Sequence, residues 1–386
     1  MSVCQVLSLE IMSAKKNDLA AFLGKEITRR QKILEDIKHN REWFSLRSML
    51  SYSWAMYLFF IGGRSAGKSY AICHFLVHQW KEYGRPFYWL RLSEASAQKL
   101  LIGDAQKLVD ADIRRYYNLD LEVVGDSVFE VTKRGPKKPD GSPGKIIEKK
   151  LMARVLGCNT FYNDKGSALY DKDFLKDPRM YYNIILDEMN RESTEKNSFS
   201  IVDAVSGQIE NLVRTEKKRV RIMCVGNLLS EASDLLVKFN FLPEQYGIYK
   251  IKKKKAVICY MEPTDKEIER RKGSAADILN GDNSNFTNEI KTDTALITKK
   301  RLQKPSYIIA FTNETKFTVW DGNVVCQYNK ELCSHTVAMR PYLDYLFEVK
   351  ARDNVMQMFD TRSYRFRNLV TQKIFKKELA LLKPRK

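Results

Sequence analysis

The chain lacks paired cysteines, long apolar runs and enough acid to balance its bases. Seven cysteines are scattered with no CxxC pair among them, which leaves neither a disulfide framework nor a zinc knuckle to expect. Most are expected to be reduced and buried. The longest uninterrupted apolar stretch, Trp54 to Ile61, is far short of the roughly 20 residues a bilayer-spanning helix needs. No membrane partner is expected. The N-terminal MSVCQVLSLEIMSAKKND has no basic run ahead of its apolar residues and no small-residue cleavage pattern after them, so an unsecreted protein is expected. Acids number 47 against 66 Lys plus Arg, a net charge of +19. That excess favours an anionic partner, nucleic acid ahead of a membrane surface. A length of 386 residues with 44% hydrophobic and 29% charged side chains suits a folded protein of two domains.

Periodicity gives the organisation. Apolar residues between 19 and 50 recur at irregular helical spacing, which predicts one or two surface helices. Tyr57-Leu-Phe-Phe-Ile61 then reads as a strand buried on both faces. A Gly-rich turn and a helix over 69–83 follow, and Phe87-Tyr-Trp-Leu-Arg91 reads as a second buried strand. This order is a βαβ unit. Residues 134–145 pack three Pro, three Gly and four basic residues into twelve positions, the mark of an exposed hairpin tip. Two more buried strands, over 182–186 and 219–225, end at Asp187-Glu188 and Gly226-Asn227. After Tyr249 the texture turns charged and long buried runs cease, so a linker is expected from about Pro263 to Lys299. Three strands near 307–311, 316–320 and 324–328 read as a β-meander.

The chemistry gathers at strand ends. Gly62-Gly63-Arg64-Ser65-Ala66-Gly67-Lys68-Ser69 fits GxxxxGK[ST] between a buried strand and a helix. Backbone N–H groups of such a loop, with the helix dipole, form a nest for phosphate oxygens. Lys68 would neutralise phosphate charge and Ser69 would ligate Mg²⁺. Asp187 is the candidate acid that completes the metal shell, and Glu188 the candidate base that polarises the attacking water. No guanine-reading NKxD is present, so ATP is the expected nucleotide. In ATPases with an added strand, a polar residue at the position of Asn227 can contact the γ-phosphate and signal its loss, which is the reading favoured here; a cap of the following helix is the plainer alternative. The long interval between Lys68 and Asp187 leaves room for that strand, assigned to 87–91. Arg214 could reach a neighbouring subunit's γ-phosphate, while a solvated basic face or a DNA contact accounts for the same residue. His74 and His78 stand at a zinc-compatible spacing, but no third ligand is evident.

GGRSAGKSYAI, IILDEMNRE and VRTEKKRVRIMCVGNLLS together resemble the DNA-packaging ATPases of small tailed bacteriophages with protein-primed linear genomes, relatives of the terminase large subunits. The similarity runs from about Ser48 to Asn240 and is weaker beyond. It implies an α/β P-loop NTPase of the additional-strand class, followed by a small ribonuclease-H-like α+β domain without working nuclease carboxylates. It implies an ATP-driven motor that moves double-stranded DNA into a viral procapsid, in the host cytoplasm and transiently at the procapsid vertex. ATP and Mg²⁺ are the implied cofactors. Double-stranded DNA, the procapsid portal, a homo-oligomeric ring and a structural RNA are the implied partners. Lys68, Ser69, Asp187, Glu188 and Asn227 match the family's motif positions, Arg214 falls where a trans-acting arginine precedes the sensor strand, and Arg91 resembles a position near the nucleotide. The expected domains are a helical extension over 1–45, the ATPase over 46–262, a linker over 263–299 and a basic nucleic-acid-binding domain over 300–386. Across 361–386 nine Lys and Arg face one Glu, with Tyr364 and Phe366 interleaved, a footprint for a phosphate backbone. Another nucleic-acid ATPase, such as a helicase, or a non-enzymatic assembly factor are the alternatives.

Overall fold

The computed structural model describes residues 43–63, 66–163, 177, 180–189, 200–213, 219–227, 233–275, 278, 294–328 and 335–382. The helices expected before 43, and Arg64, Ser65 and Arg214, lie outside the described residues. The chain builds two sheets. The larger, of nine strands, contains β1 (Tyr57–Ile61), β2 (Phe87–Arg91), β3 (Leu121–Val124), β4 (Ser127–Arg134), β5 (Ile146–Gly157), β6 (Tyr182–Leu186), β7 (Val220–Gly226), β8 (Gly247–Ile251) and β9 (Ala256–Tyr260). Their order is β3-β4-β5-β2-β6-β7-β1-β9-β8. In that order the six strands from β5 to β9 run parallel, while β3, β4 and β8 join antiparallel at the flanks.

Strand β1 shows why the sheet is covered on both sides. Leu58, Phe59, Phe60 and Ile61 are all buried, and because side chains alternate across a strand they feed two different cores. Leu58 and Phe60 pack with Ile72, Leu76, Val77 and Trp80 of the helix Lys68–Tyr83. Phe59 and Ile61 pack with Ile201, Ala204, Val205 and Leu212 of the helix Ile201–Val213. Burying each such side chain is worth about 1.5–3 kcal/mol. The segment ahead of β1 joins the first core through Leu46 and Met49, which are buried, so the short helix Arg47–Leu50 is not a solvated surface helix.

Strand order corrects one expectation. Phe87–Arg91 lies beyond β6, and the strand between β1 and β6 is β7. Sequence position between two motifs therefore does not give spatial position between their strands. The region expected to be a linker also contains a helix, Asp265–Arg271, capped by the Thr264 hydroxyl, which accepts from the Glu267 N–H at 3.2 Å.

The smaller sheet takes the meander of Pro305–Ala310, Lys316–Trp320 and Val324–Gln327 and adds short parallel strands Thr336–Ala338 and Arg365–Phe366 at its two margins. Helices Val349–Asp360 and Leu369–Ala380 complete it. Phe375 sits at its centre, with ring centroids of Phe311, Phe317 and Phe366 at 5.2–5.5 Å. Tyr364 and Phe366 are 1% and 0% exposed. The aromatics interleaved with the basic C-terminal run are thus core residues and cannot stack on bases.

Candidate active site

Parallel strands bring their carboxyl ends to one edge, where the last residue of β2 meets residues following β1, β6 and β7. A cavity of about 520 Å³ is lined by Ala66, Gly67, Lys68, Ser69, Arg91, Asp187, Glu188 and Asn227. Four separate segments of the chain thus converge. Of the expected site residues, Gly62 and Gly63 form the buried start of the loop, while Arg64, Ser65 and Arg214 are outside the described residues.

The loop's curvature depends on Gly67. Its φ of +82° is left-handed, and a Cβ there would stand 3.1 Å from the Trp43 ring, so any other residue is strained and crowded. Trp43 is held beside the loop by the Phe44 N–H, which donates to the Ala66 carbonyl at 3.0 Å. The Arg270 guanidinium lies over the Trp43 ring at 3.6 Å from its centroid. Sequence reasoning missed both residues, because nothing local links positions 43, 67 and 270.

Lys68 is buried, and its ammonium donates to the carbonyls of Gly62 at 2.8 Å and Gly63 at 2.6 Å. The loop closes on its own lysine. Ser69 Oγ donates to Asp187 Oδ1 at 2.9 Å, which places a hydroxyl and a carboxylate, both hard oxygen donors, side by side. Arg91 reaches the same acids from β2: one guanidinium nitrogen lies 2.8 Å from Asp187 Oδ2, and the other pairs with Glu188. Burial pushes the Asp187 carboxyl up from the usual range, and Arg91 opposes that rise. A buried carboxylate against one cation and one hydroxyl is a place where a second cation would be stabilised.

Glu188 differs from Asp187 in two ways. Its side chain is 56% exposed, and its φ is +57°. A left-handed non-glycine residue costs on the order of 1–3 kcal/mol and persists only when its neighbours fix it. They do: the Asp187 N–H donates to Leu90 O at 2.9 Å and the Met189 N–H to Val225 O at 2.8 Å. The chain is tied to β2 on one side of Glu188 and to β7 on the other, and Glu188 turns out between them.

On the helix after the loop, His74 lies near Tyr70, Tyr116 and Tyr117 at centroid distances of 5.5–6.4 Å, an aromatic cluster in which burial lowers its pKa. Among the described residues, no group of three or more His, Cys, Asp or Glu could hold a metal. Cys73 is buried, its thiol donates to Leu108 O at 3.2 Å, and burial pushes it up to about 12.

Fold and cleft define an α/β protein with a cavity at the carboxyl edge of a largely parallel sheet. No family model matches the chain. In sequence it is similar to the DNA packaging proteins of Bacillus phage phi29 and Bacillus phage PZA, each 22% identical over 286 residues that cover 72% of this chain and 75% of the relative. In fold it is similar to a chain of the bacteriophage Phi-29 viral genome packaging motor assembly, with a TM-score of 0.60 at 19% identity, covering 89% of this chain and 100% of that one. A second solved likeness is the Phi-28 DNA packaging motor, with a TM-score of 0.55 at 12% identity, covering 89% of this chain and 99% of that one. The resemblance read from the motifs is therefore matched along most of the chain. No helix among the described residues is long and apolar enough to cross a membrane.

Proposed function

We propose that the protein is an ATP-hydrolysing motor that drives double-stranded DNA into a viral procapsid, working as a homo-oligomeric ring at the portal. The observation that carries this reading is the convergence of Lys68, Ser69, Asp187, Glu188 and Asn227 on one cavity. The similarity to phage packaging proteins supports the DNA-directed part. The division into an additional-strand P-loop ATPase over 46–262 and a ribonuclease-H-like domain over 300–386 fits the two sheets, with β7 between β1 and β6 as the added strand. A structural RNA stays among the proposed partners on the resemblance alone.

In the proposed mechanism, the ATP phosphates lie against the loop 62–69, whose N–H groups and helix dipole favour negative charge. Lys68 leaves the Gly62 and Gly63 carbonyls and turns to the phosphate oxygens. Ser69 and Asp187 would hold Mg²⁺, which would supply neutralisation of phosphate charge. Glu188, turned out by its left-handed backbone, accepts the proton of the attacking water. Its pairing with Arg91 must loosen for that, which makes Arg91 a positioning residue. Asn227, one residue past β7, contacts the γ-phosphate and passes its loss to the strand between the two motifs. Arg214 acts in trans at the neighbouring subunit's site.

The five-stranded sheet is assigned no nuclease role. Asp321 is occupied by a turn, its carboxylate accepting the Lys304 N–H at 2.9 Å and the Gln303 N–H at 3.3 Å. Asp353 pairs with Arg352 at 2.8 Å. The reading is tested by ATP turnover of the full-length chain with duplex or single-stranded DNA: stimulation by duplex without strand separation supports it, and stimulation by single strands with unwinding makes the protein a helicase. Mixing Arg214→Ala with Glu188→Gln subunits tests the shared site, since recovered turnover needs each subunit to lend its intact residue.

A further inference from the structure

Three basic runs are far apart in the chain, around 133–150, 219–221 and 250–255, and the large sheet carries all three to one place. Six strands run parallel, so their first residues share the edge opposite the nucleotide cleft. Arg219 and Arg221 stand on either side of Val220, the first residue of β7, and Lys255 directly precedes β9. The single helical turn Lys252–Lys254 stands beside it with all three lysines exposed. With strands about 4.8 Å apart, the five steps from β5 to β9 make an edge about 24 Å wide.

A hairpin flanks this edge. Strand β5 pairs with β2 only from Ala153 onward, so residues 146–152 run about 23 Å past the start of β2, paired with β4 alone. The tip is ordered. The Gly135 N–H donates to Lys145 O at 2.8 Å and the Lys138 N–H to Ser142 O at 3.1 Å. Asp140 is tied down by the Ser142 N–H at 2.9 Å and hydroxyl at 2.6 Å. A Cβ on Gly144 would stand 2.3 Å from the carbonyl oxygens of Gly135 and Pro136, so the closure requires glycine. Lys133, Lys137, Lys138, Lys145 and Lys150 are exposed on this arm with no acidic partner among the described residues. Against them stand two exposed acids, Glu148 and the turn-bound Asp140.

At the centre, the Arg221 guanidinium stands 5.5 Å from the Phe75 ring and 5.2 Å from the Tyr181 ring. It makes no ion pair with a described residue, and burial lowers its pKa. A cation held out of water without a carboxylate is stabilised by any anion that reaches it. A cavity of about 170 Å³ opens on it, lined also by Ser53, Trp54, Tyr181 and Lys255.

We propose that this edge docks the phosphate backbone of duplex DNA, with Arg221 and Lys255 as the central phosphate seat and the β4–β5 hairpin as an arm along the duplex. The identity of the duplex rests on the packaging-motor reading above. A duplex carries one charge per about 1.7 Å of its length, so an edge this wide faces on the order of ten phosphates. Cations without base-reading partners give contacts that are indifferent to sequence and sensitive to salt.

The test is equilibrium binding of the full chain to a random-sequence DNA duplex, without nucleotide, between about 50 and 200 mM salt. Three variants are compared with wild type: Lys252→Gln with Lys253→Gln and Lys254→Gln; Lys137→Gln with Lys138→Gln and Lys145→Gln; and a scattered control, Lys99→Gln with Lys238→Gln and Lys350→Gln, that loses the same charge. Circular dichroism checks that each is folded. Each edge triple should bind at least about tenfold more weakly, with a salt slope shallower by about two to three, at roughly 0.9 for each phosphate no longer neutralised. The control should stay within about threefold of wild type. Edge triples that match the control overturn the proposal. So does weakened affinity for an RNA duplex with DNA affinity intact, which would give the edge to RNA. A wild-type chain that binds no duplex DNA overturns the motor reading itself, and the docking edge falls with it.

Discussion

The two edges of the nine-stranded sheet are built by the same strands and carry opposite chemistry. At the carboxyl edge, acids and cations neutralise one another at close range: Asp187, Glu188 and Arg91 form one ion cluster, and Lys68 is satisfied by carbonyls of its own loop. At the amino edge, Arg221, Lys255 and Lys252–Lys254 stand without acidic partners among the described residues. The contrast is between cations that have partners and cations that have none. The first edge is a closed cluster, which in the proposed function a small, highly charged ligand opens. The second is a field left open along its length, as suits a long polyanion.

Substitutions at either edge probe this contrast. The largest effect is expected from Lys68→Ala: ATP affinity and turnover should fall by at least about a hundredfold, while nucleotide-free binding of duplex DNA keeps its salt slope. A parallel fall in duplex binding would mean that the two edges are not separate sites. Next is Arg91→Ala, which leaves Asp187 buried without its cation. Breaking a buried pair costs about 3 kcal/mol or more, so thermal denaturation should show a clear drop in stability. Added Mg²⁺ and ATP should raise the variant's melting temperature more than that of wild type, since they replace the missing positive charge. An equal shift in both would show that Arg91 does not share the acids with the metal site. The smallest effect belongs to Tyr364→Phe in the other sheet. Tyr364 shares a hydrogen bond of 2.8 Å with Tyr307, worth about 1 kcal/mol. Chemical denaturation should register its removal with no change in duplex affinity; a weaker duplex complex would restore Tyr364 to the nucleic-acid surface.

What can be read from the sequence follows from how far each feature reaches. Tyr57 to Ile61, Phe87 to Arg91 and Tyr182 to Leu186 are apolar runs, and burial on both faces leaves that local trace. The loop 62–69 and Asp187-Glu188 are legible for the same reason, since each sits at the end of such a run. The order of strands is not, because β7 pairs with β1 and β6 from far along the domain and no local pattern records it. Arg91 comes to notice only through the resemblance, and its bridge to both acids is a product of β2 lying next to β6. Tyr364 and Phe366 alternate with arginines, which looks like an exposed basic strip, yet they face the core that Phe375 fills. The amino-edge cations are plain in the sequence as three runs, but only the parallel register makes them one surface.

Whether the carboxyl-edge cleft hydrolyses ATP with Glu188 as the base, and whether duplex DNA drives the turnover, is decided by one comparison of rates. Steady-state ATP hydrolysis is measured for wild type and Glu188→Gln, with and without duplex DNA, alongside nucleotide binding by both. Wild type should be accelerated by duplex, and Glu188→Gln should bind ATP but turn over at least about a hundredfold more slowly under either condition. Turnover by Glu188→Gln equal to wild type in the presence of duplex DNA would refute Glu188 as the base and, with it, the proposed reaction centre.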